Sequence, residues 1–274
     1  MSTVTAPPAA PPRDHAADPP GYRLTGWGIV RSEWTKLWSL RSTWITLSCA
    51  AALSVGLGIL VGASHEDNEA HRQVDPVGLP VFGMTFAQLA VAVLGVLAMT
   101  GEYGTGMIRS SMTAVPRRLP VLWAKTGVLA VVVLAVFVPV AFVTFLAAQP
   151  LLAGSGLAAS LSDPGVARAL LGSGVFTAYG AVLGLTIGAL IRRTPGAIGV
   201  YVGVVMLLPE LASLLPWAWV DDVVRLMPFD IGESMGLARP EEGALSTTAA
   251  YLAIAVWTTL GLGAAALLLR RRDV

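Results

Sequence analysis

The chain has 274 residues, of which 55% are hydrophobic and 13% are charged, and its formal net charge at pH 7 is +1. Soluble domains carry about 25% charged residues, so this composition excludes an ordinary soluble domain and indicates a membrane protein. The net charge is uninformative as a total, and we expect membrane lipid around the chain and no nucleic-acid partner.

The N-terminal segment, residues 1–22, is rich in Ala and Pro and lacks the apolar core of a signal peptide, so we expect a disordered cytoplasmic tail. Residues 26–41 have the period of an amphipathic helix. Its apolar face comprises Trp27, Val30, Trp34, Leu37 and Trp38, and its polar face comprises Ser32, Glu33, Lys36 and Ser39. Since Trp favours the headgroup level, we predict an interfacial helix with Lys36 and Arg41 near anionic headgroups. A cytoplasmic extension of the first span is the alternative.

Six apolar stretches are long enough to cross the hydrocarbon core, which takes about 20 residues. They are residues 43–62, 80–100, 121–148, 168–191, 195–215 and 248–269. When the loops are sorted by alternate sides, most Lys and Arg fall on the side of both termini. The positive-inside rule therefore predicts a multi-pass plasma-membrane protein with cytoplasmic termini. Lys125 and Arg168 lie near span ends, from which long basic side chains can reach the membrane surface.

Glycines recur at four-residue spacing in three of these spans. They are Gly58 and Gly62, Gly180, Gly184 and Gly188, and Gly199 and Gly203. Such spacing allows helices to approach closely. We interpret the pattern as packing within the chain, with dimerisation as the alternative.

The loop between the second and third spans reads GEYGTGMIRSSMTAVPRRLPVLWAK from residue 101. Its glycines allow a sharp turn, Met107 and Ile108 fit one face of a short helix, and Pro116 ends that helix. From the residues alone, a basic connecting loop is the alternative interpretation.

The order of residues in this loop resembles that of ABC-2 type transporter permeases. The matching positions are Glu102, Gly104–Thr105, Pro116, Arg117 and Lys125. The segments EWTKLWSLRSTW (33–44) and LLLRRRDV (267–274) resemble the membrane entry and the end of actinobacterial members. The resemblance covers nearly the whole chain and implies an all-α polytopic fold of the ABC-2 exporter type, with residues 23–274 as a single transmembrane domain.

The resemblance also implies a function. Such permeases are not enzymes, pair with a second permease copy or a homologous permease, and are driven by a separate ABC ATPase that holds ATP and Mg. It implies that loop 101–120 is the coupling helix, with candidate residues Glu102, Tyr103, Met107, Ile108, Arg109, Pro116 and Arg117. The expected cargo is a small amphipathic compound, such as a drug, an antibiotic or a lipid, and the expected direction is export.

An outer segment, residues 209–247, contains two span-interrupting prolines and a short amphipathic pattern, so we expect elements that lie on the membrane or re-enter it. Glu210 comes about 15 residues into the fifth span, roughly 22 Å from its inner end. An intramembrane acid is a candidate for the translocation path. The alternative is that Pro209 ends the helix and Glu210 faces outer water.

The residues also bear on cofactor binding and on three other functions. The two lysines, Lys36 and Lys125, follow Thr35 and Ala124, so neither belongs to a phosphate-binding Gly-Lys-Ser/Thr turn and we expect no cofactor in this chain. A stand-alone secondary transporter or channel usually needs ionisable residues near the midplane, which most spans lack. A membrane enzyme or metal site needs a side-chain cluster, and we find none. A non-transporting membrane scaffold stays open.

Overall fold

The computed structural model describes residues 25–64, 75–107, 119–153, 155, 157–239 and 243–271. This described part is 81% helix and contains no strands. The helices are α1 (Gly26–Ser39), α2 (Arg41–Ser64), α3 (Gly83–Gly104), α4 (Leu119–Ala148), α5 (Val166–Ile191), α6 (Thr194–Ala212), α7 (Ala218–Val224), α8 (Pro228–Met235) and α9 (Thr247–Arg271). A 3₁₀ turn, Pro80–Phe82, leads directly into α3.

Six of these helices are long and apolar enough to cross a membrane: α2, α3 with its preceding turn, α4, α5, α6 and α9. Each of the six predicted stretches thus corresponds to one long apolar helix, with bounds that differ by a few residues. The structure is therefore compatible with a multi-pass membrane protein. The side on which the termini lie, and the identity of the membrane, stay predictions.

Helix α5 is the centre of the bundle. About 78% of its most apolar stretch is buried, against 22% for α6 and for α9. Its glycines bring it into backbone contact with α3, because a Cβ on Gly184 would overlap the carbonyl oxygen of Ala92 and a Cβ on Gly95 would overlap that of Ala181. The spacing in α5 thus serves packing within the chain, as predicted. Gly199 and Gly203 on α6 differ, since a Cβ on either would meet nothing within 4 Å.

Helix α6 is irregular in its middle. Tyr201–Leu207 forms a π-helical segment between two α-helical turns. Tyr201 begins this segment and is only 1% exposed. Its hydroxyl lies 3.1 Å from the place that a Cβ on Gly180 would take, and Nε2 of Gln88 lies 3.2 Å from the same place. Polar groups from α3 and α6 therefore meet on the glycine face of α5, in the middle of the bundle.

The outer segment folds back on the bundle through α8. A Cβ on Gly172 of α5 would overlap the carbonyl oxygen of Met235, so the two backbones touch. Arg168 donates hydrogen bonds to the carbonyl oxygens of Leu237 and Ala238, at 3.0 and 3.2 Å, and to Oγ1 of Thr247, at 2.7 Å. The guanidinium of Arg168 is thus bound by the segment that follows α8, and its position relative to the membrane surface stays a prediction.

Candidate functional site: a buried charge cluster

Four charged side chains from three helices meet at one end of the bundle. Glu33 and Lys36 lie one turn apart on α1, Glu102 lies in the last turn of α3, and Lys125 lies in the second turn of α4. We call these four residues the charge cluster. Two positive and two negative groups make it neutral in total.

The contacts within the charge cluster form a closed ring. Nζ of Lys125 lies 2.6 Å from Oε2 of Glu33 and 2.8 Å from Oε1 of Glu102. Nζ of Lys36 lies 2.7 Å from Oε1 of Glu33 and 3.0 Å from Oε1 of Glu102. Each ammonium thus bridges both carboxylates, and α1 is joined to α3 and α4 by charge-assisted hydrogen bonds.

Burial makes these contacts energetically important. The side chains of Glu33, Glu102 and Lys125 are 5–9% exposed, whereas that of Lys36 is 28% exposed. Burial alone would lower the pKa of Lys36, but its hydrogen bonds and ion pairs with Glu33 and Glu102 outweigh this effect and raise it. Lys36 is therefore charged at neutral pH. Removing one member of a buried pair leaves an uncompensated charge, which is strongly destabilising.

The cluster shows partners that the sequence did not predict for two lysines. Lys36 was expected near lipid headgroups, and Lys125 near a span end from which its side chain can reach the membrane surface. Both ammonium groups are directed onto carboxylates inside the protein, and their positions relative to a membrane stay predictions. Glu33 and Lys36 of α1 are turned toward the bundle together with Leu37, whereas Ser32 and Ser39 are exposed. The Trp side chains of α1 are exposed too, with Trp27 at 75%, Trp34 at 42% and Trp38 at 53%. Periodicity identifies the two faces of a helix but not the partner of each face. The interfacial position of α1 stays a prediction.

Glu102 of the cluster and Arg192, at the end of α5, have buried polar atoms without a hydrogen-bond partner in the described part of the chain. Oε2 of Glu102 is buried and has no hydrogen-bond partner among the described residues. The same is true of Nε and Nη2 of Arg192, whose Cζ lies 5.1 Å from the centre of the Tyr103 ring. Arg192 ends α5 in the left-handed conformation, with φ 62°. Buried polar atoms without partners are rare in folded proteins and mark sites where function competes with stability.

The predicted coupling residues are only partly within the described chain. Glu102 and Tyr103 belong to the last turns of α3, and Met107 lies just beyond them with 46% of its surface exposed. Ile108, Arg109, Pro116 and Arg117 lie outside the described residues. Sequence reasoning missed Glu33 as a member of the site and did not single out Arg192. The i, i+3 spacing of Glu33 and Lys36 was the available signal.

A second feature lies at the opposite end of α3. A partly open cavity of about 280 Å³ lies between the start of α3 and helices α5, α6 and α8, and Glu210 contributes to its wall. We call it the distal cavity. The α6 helix continues through Pro209 to Ala212, so Pro209 does not end it, and Glu210 is exposed. Glu210 is thus accessible and contributes to a cavity wall, and its assignment to a translocation path stays a prediction.

No group of three His, Cys, Asp or Glu in the described ranges could hold a metal ion. Comparison of the sequence with protein-family models gave no match, and no curated protein matched it. Functional assignment therefore rests on the residues and geometry of this chain.

Proposed function

We propose that this chain is the membrane-spanning permease subunit of an ATP-driven exporter of the ABC-2 type. The charge cluster is the observation that carries the proposal. It joins α1, the end of α3 and the start of α4, and the last two border the predicted coupling segment. Motion of that segment would therefore reach three helices together.

The physical basis is the stiffness of a buried ionic ring. Breaking one buried pair costs roughly 3–5 kcal/mol when the partner charge is left behind. Separating the three helix ends would likewise part buried opposite charges, so the ring favours movement of the ends together. Such a rigid joint is what a permease needs if a separate ATPase, which holds ATP and Mg, is to drive its transmembrane helices.

The exposed helices are compatible with the proposed pairing of two permeases. Most of the apolar surface of α2, α6 and α9 is not buried within the chain, with 28%, 22% and 22% of the best apolar stretch inside. This surface is available to lipid and to a second permease copy or a homologous permease. A homodimer uses the same surface twice.

The proposal is tested by copurification. The chain is coexpressed with an ABC ATPase encoded beside it, purified, and reconstituted into liposomes. We expect the ATPase to copurify and ATP hydrolysis to be faster with the chain than without it. Absence of both effects, with a monodisperse and membrane-inserted chain, would refute the proposal.

A matched pair of variants tests the role of the charge cluster in coupling. We expect Glu102→Gln to reduce the stimulated ATPase rate and cargo transport while leaving membrane insertion intact. The control is Asp222→Asn, since Asp222 is an acid with a largely exposed side chain on α7. If both variants keep the rate of the unmodified chain, the charge cluster does not take part in coupling.

A further inference from the structure

The walls of the distal cavity combine aromatic surface with one carboxylate. Three phenylalanines line it, Phe82, Phe176 and Phe229, and other wall residues are largely apolar. Among the described lining residues, Glu210 is the only charged group. In the described part of the chain, no ion pair joins Glu210 to a cation.

A second carboxylate adds to the negative potential of this region. Asp230 follows Phe229 on α8, and its Oδ2 is buried with no hydrogen-bond partner among the described residues. Burial and the neighbouring charge of Glu210 raise the pKa of Asp230. The two acids are therefore close enough to repel each other.

Two arginines of this region, Arg168 and Arg225, contact other groups. Arg168 binds Thr247 and two backbone carbonyls, and Arg225 lies 3.7 Å from Asp222. The distal cavity thus presents a carboxylate that lacks a cation and aromatic rings that attract one. Cations are held over aromatic faces with about 0.5–2 kcal/mol each.

We propose that the distal cavity binds an organic cation, an amphipathic amine or quaternary ammonium compound, with its charge beside Glu210 and its apolar part against the phenylalanines. A volume of about 280 Å³ is close to the lower end of small-molecule sites, about 300–1,000 Å³, and suits a ligand built on one aromatic ring. The inference names the cargo class of the proposed exporter, and in that respect it rests on the proposed function.

The test uses the purified full chain in nanodiscs of zwitterionic lipid, without any ATPase. The probe is benzyltrimethylammonium, and benzenesulfonate is the anionic control of similar size. Binding is measured by saturation-transfer NMR, with empty nanodiscs as the blank. We expect saturable binding of the cation and none of the anion.

Variants assign the binding to the distal cavity. Glu210→Gln is expected to weaken binding of the cation about tenfold, because a charge contact in a partly enclosed site is lost. Phe229→Leu is expected to weaken it about threefold. The control Asp221→Asn removes an exposed acid of α7 outside the cavity wall and should change the affinity less than twofold.

Three results would overturn the inference: no saturable binding of the cation, equal binding of the anion, or equal effects of Glu210→Gln and Asp221→Asn. If Glu210→Gln does not yield a monodisperse protein, Phe229→Leu decides, and an unchanged affinity in that variant also overturns the inference. Since the assay contains no ATPase, its failure is distinguishable from failure of the proposed function, which copurification tests.

Discussion

Replacing Lys125 by Met is the most direct test of the charge cluster. Met keeps the approximate length and apolar volume of the side chain but removes the ammonium that bridges Glu33 and Glu102 at 2.6 and 2.8 Å. The two carboxylates would then share Lys36 alone. We expect the free energy of unfolding to fall by about 3–5 kcal/mol, as for other buried pairs that lose one partner.

Lys36→Met is the matched comparison, because it removes the same charge from the same ring. Its side chain is 28% exposed, against 9% for Lys125. Water already screens the ion pairs of Lys36 in part. We therefore expect this variant to lower the free energy of unfolding by about 1–2 kcal/mol, between the values for exposed and buried pairs. The loss of unfolding free energy in Lys125→Met, divided by the loss in Lys36→Met, measures the contribution of burial.

A double-mutant cycle completes the test. Glu102→Gln in the Lys125→Met background removes the carboxylate that was left without its closest cation. We expect a coupling free energy of about 1–3 kcal/mol between the two positions. Stability is measured by denaturant titration of the purified protein in mixed micelles, followed by Trp fluorescence. Equal losses for the two Lys variants, or additive effects in the cycle, would refute the reasoning.

Three further predictions concern other parts of the bundle. Gly184→Val places side-chain atoms where the Ala92 carbonyl oxygen lies, so it should lower the free energy of unfolding by about 1–3 kcal/mol and lower the melting temperature. Gly199→Ala, whose new Cβ lies in open space, should change the melting temperature little. Equal shifts in melting temperature would refute the assigned packing. Arg168→Gln removes the guanidinium that binds the segment after α8, so hydrogen exchange should rise in residues 228–239 and stay unchanged in α4; unchanged exchange in both would contradict the assignment. The raised pKa of Asp230 means that the folded protein holds this proton more tightly than the unfolded chain, so stability should fall as pH rises from the usual Asp range through the raised pKa. Asp230→Asn should reduce the fall in stability with rising pH, measured as melting temperature at a series of pH values. An unchanged slope of melting temperature against pH would exclude Asp230 as the source of the fall.

The six spans were predictable because the membrane imposes a simple requirement on each one. A helix must be apolar over about 20 residues, and that property is local to a stretch of sequence. The glycine spacing of α5 was also informative, since close backbone approach needs a missing Cβ. Which helix approaches was not predictable: Gly184 contacts α3, whereas a Cβ on Gly199, with similar spacing on α6, would meet no atom of another described segment within 4 Å.

The sequence by itself determined that the chain has six stretches long and apolar enough to cross a membrane, an amphipathic helix before the first of them, and two lysines unsuited to a P-loop. Only the tertiary structure decided that those two lysines share the same pair of carboxylates. Lys36 and Glu102 are 66 positions apart in the chain, and no local pattern connects them. Helical periodicity gives the faces of each helix, but the rotation of each helix in the bundle is set by packing over its whole length. That rotation turned Glu33 and Lys36 of α1 inward and brought both lysines onto the same two carboxylates.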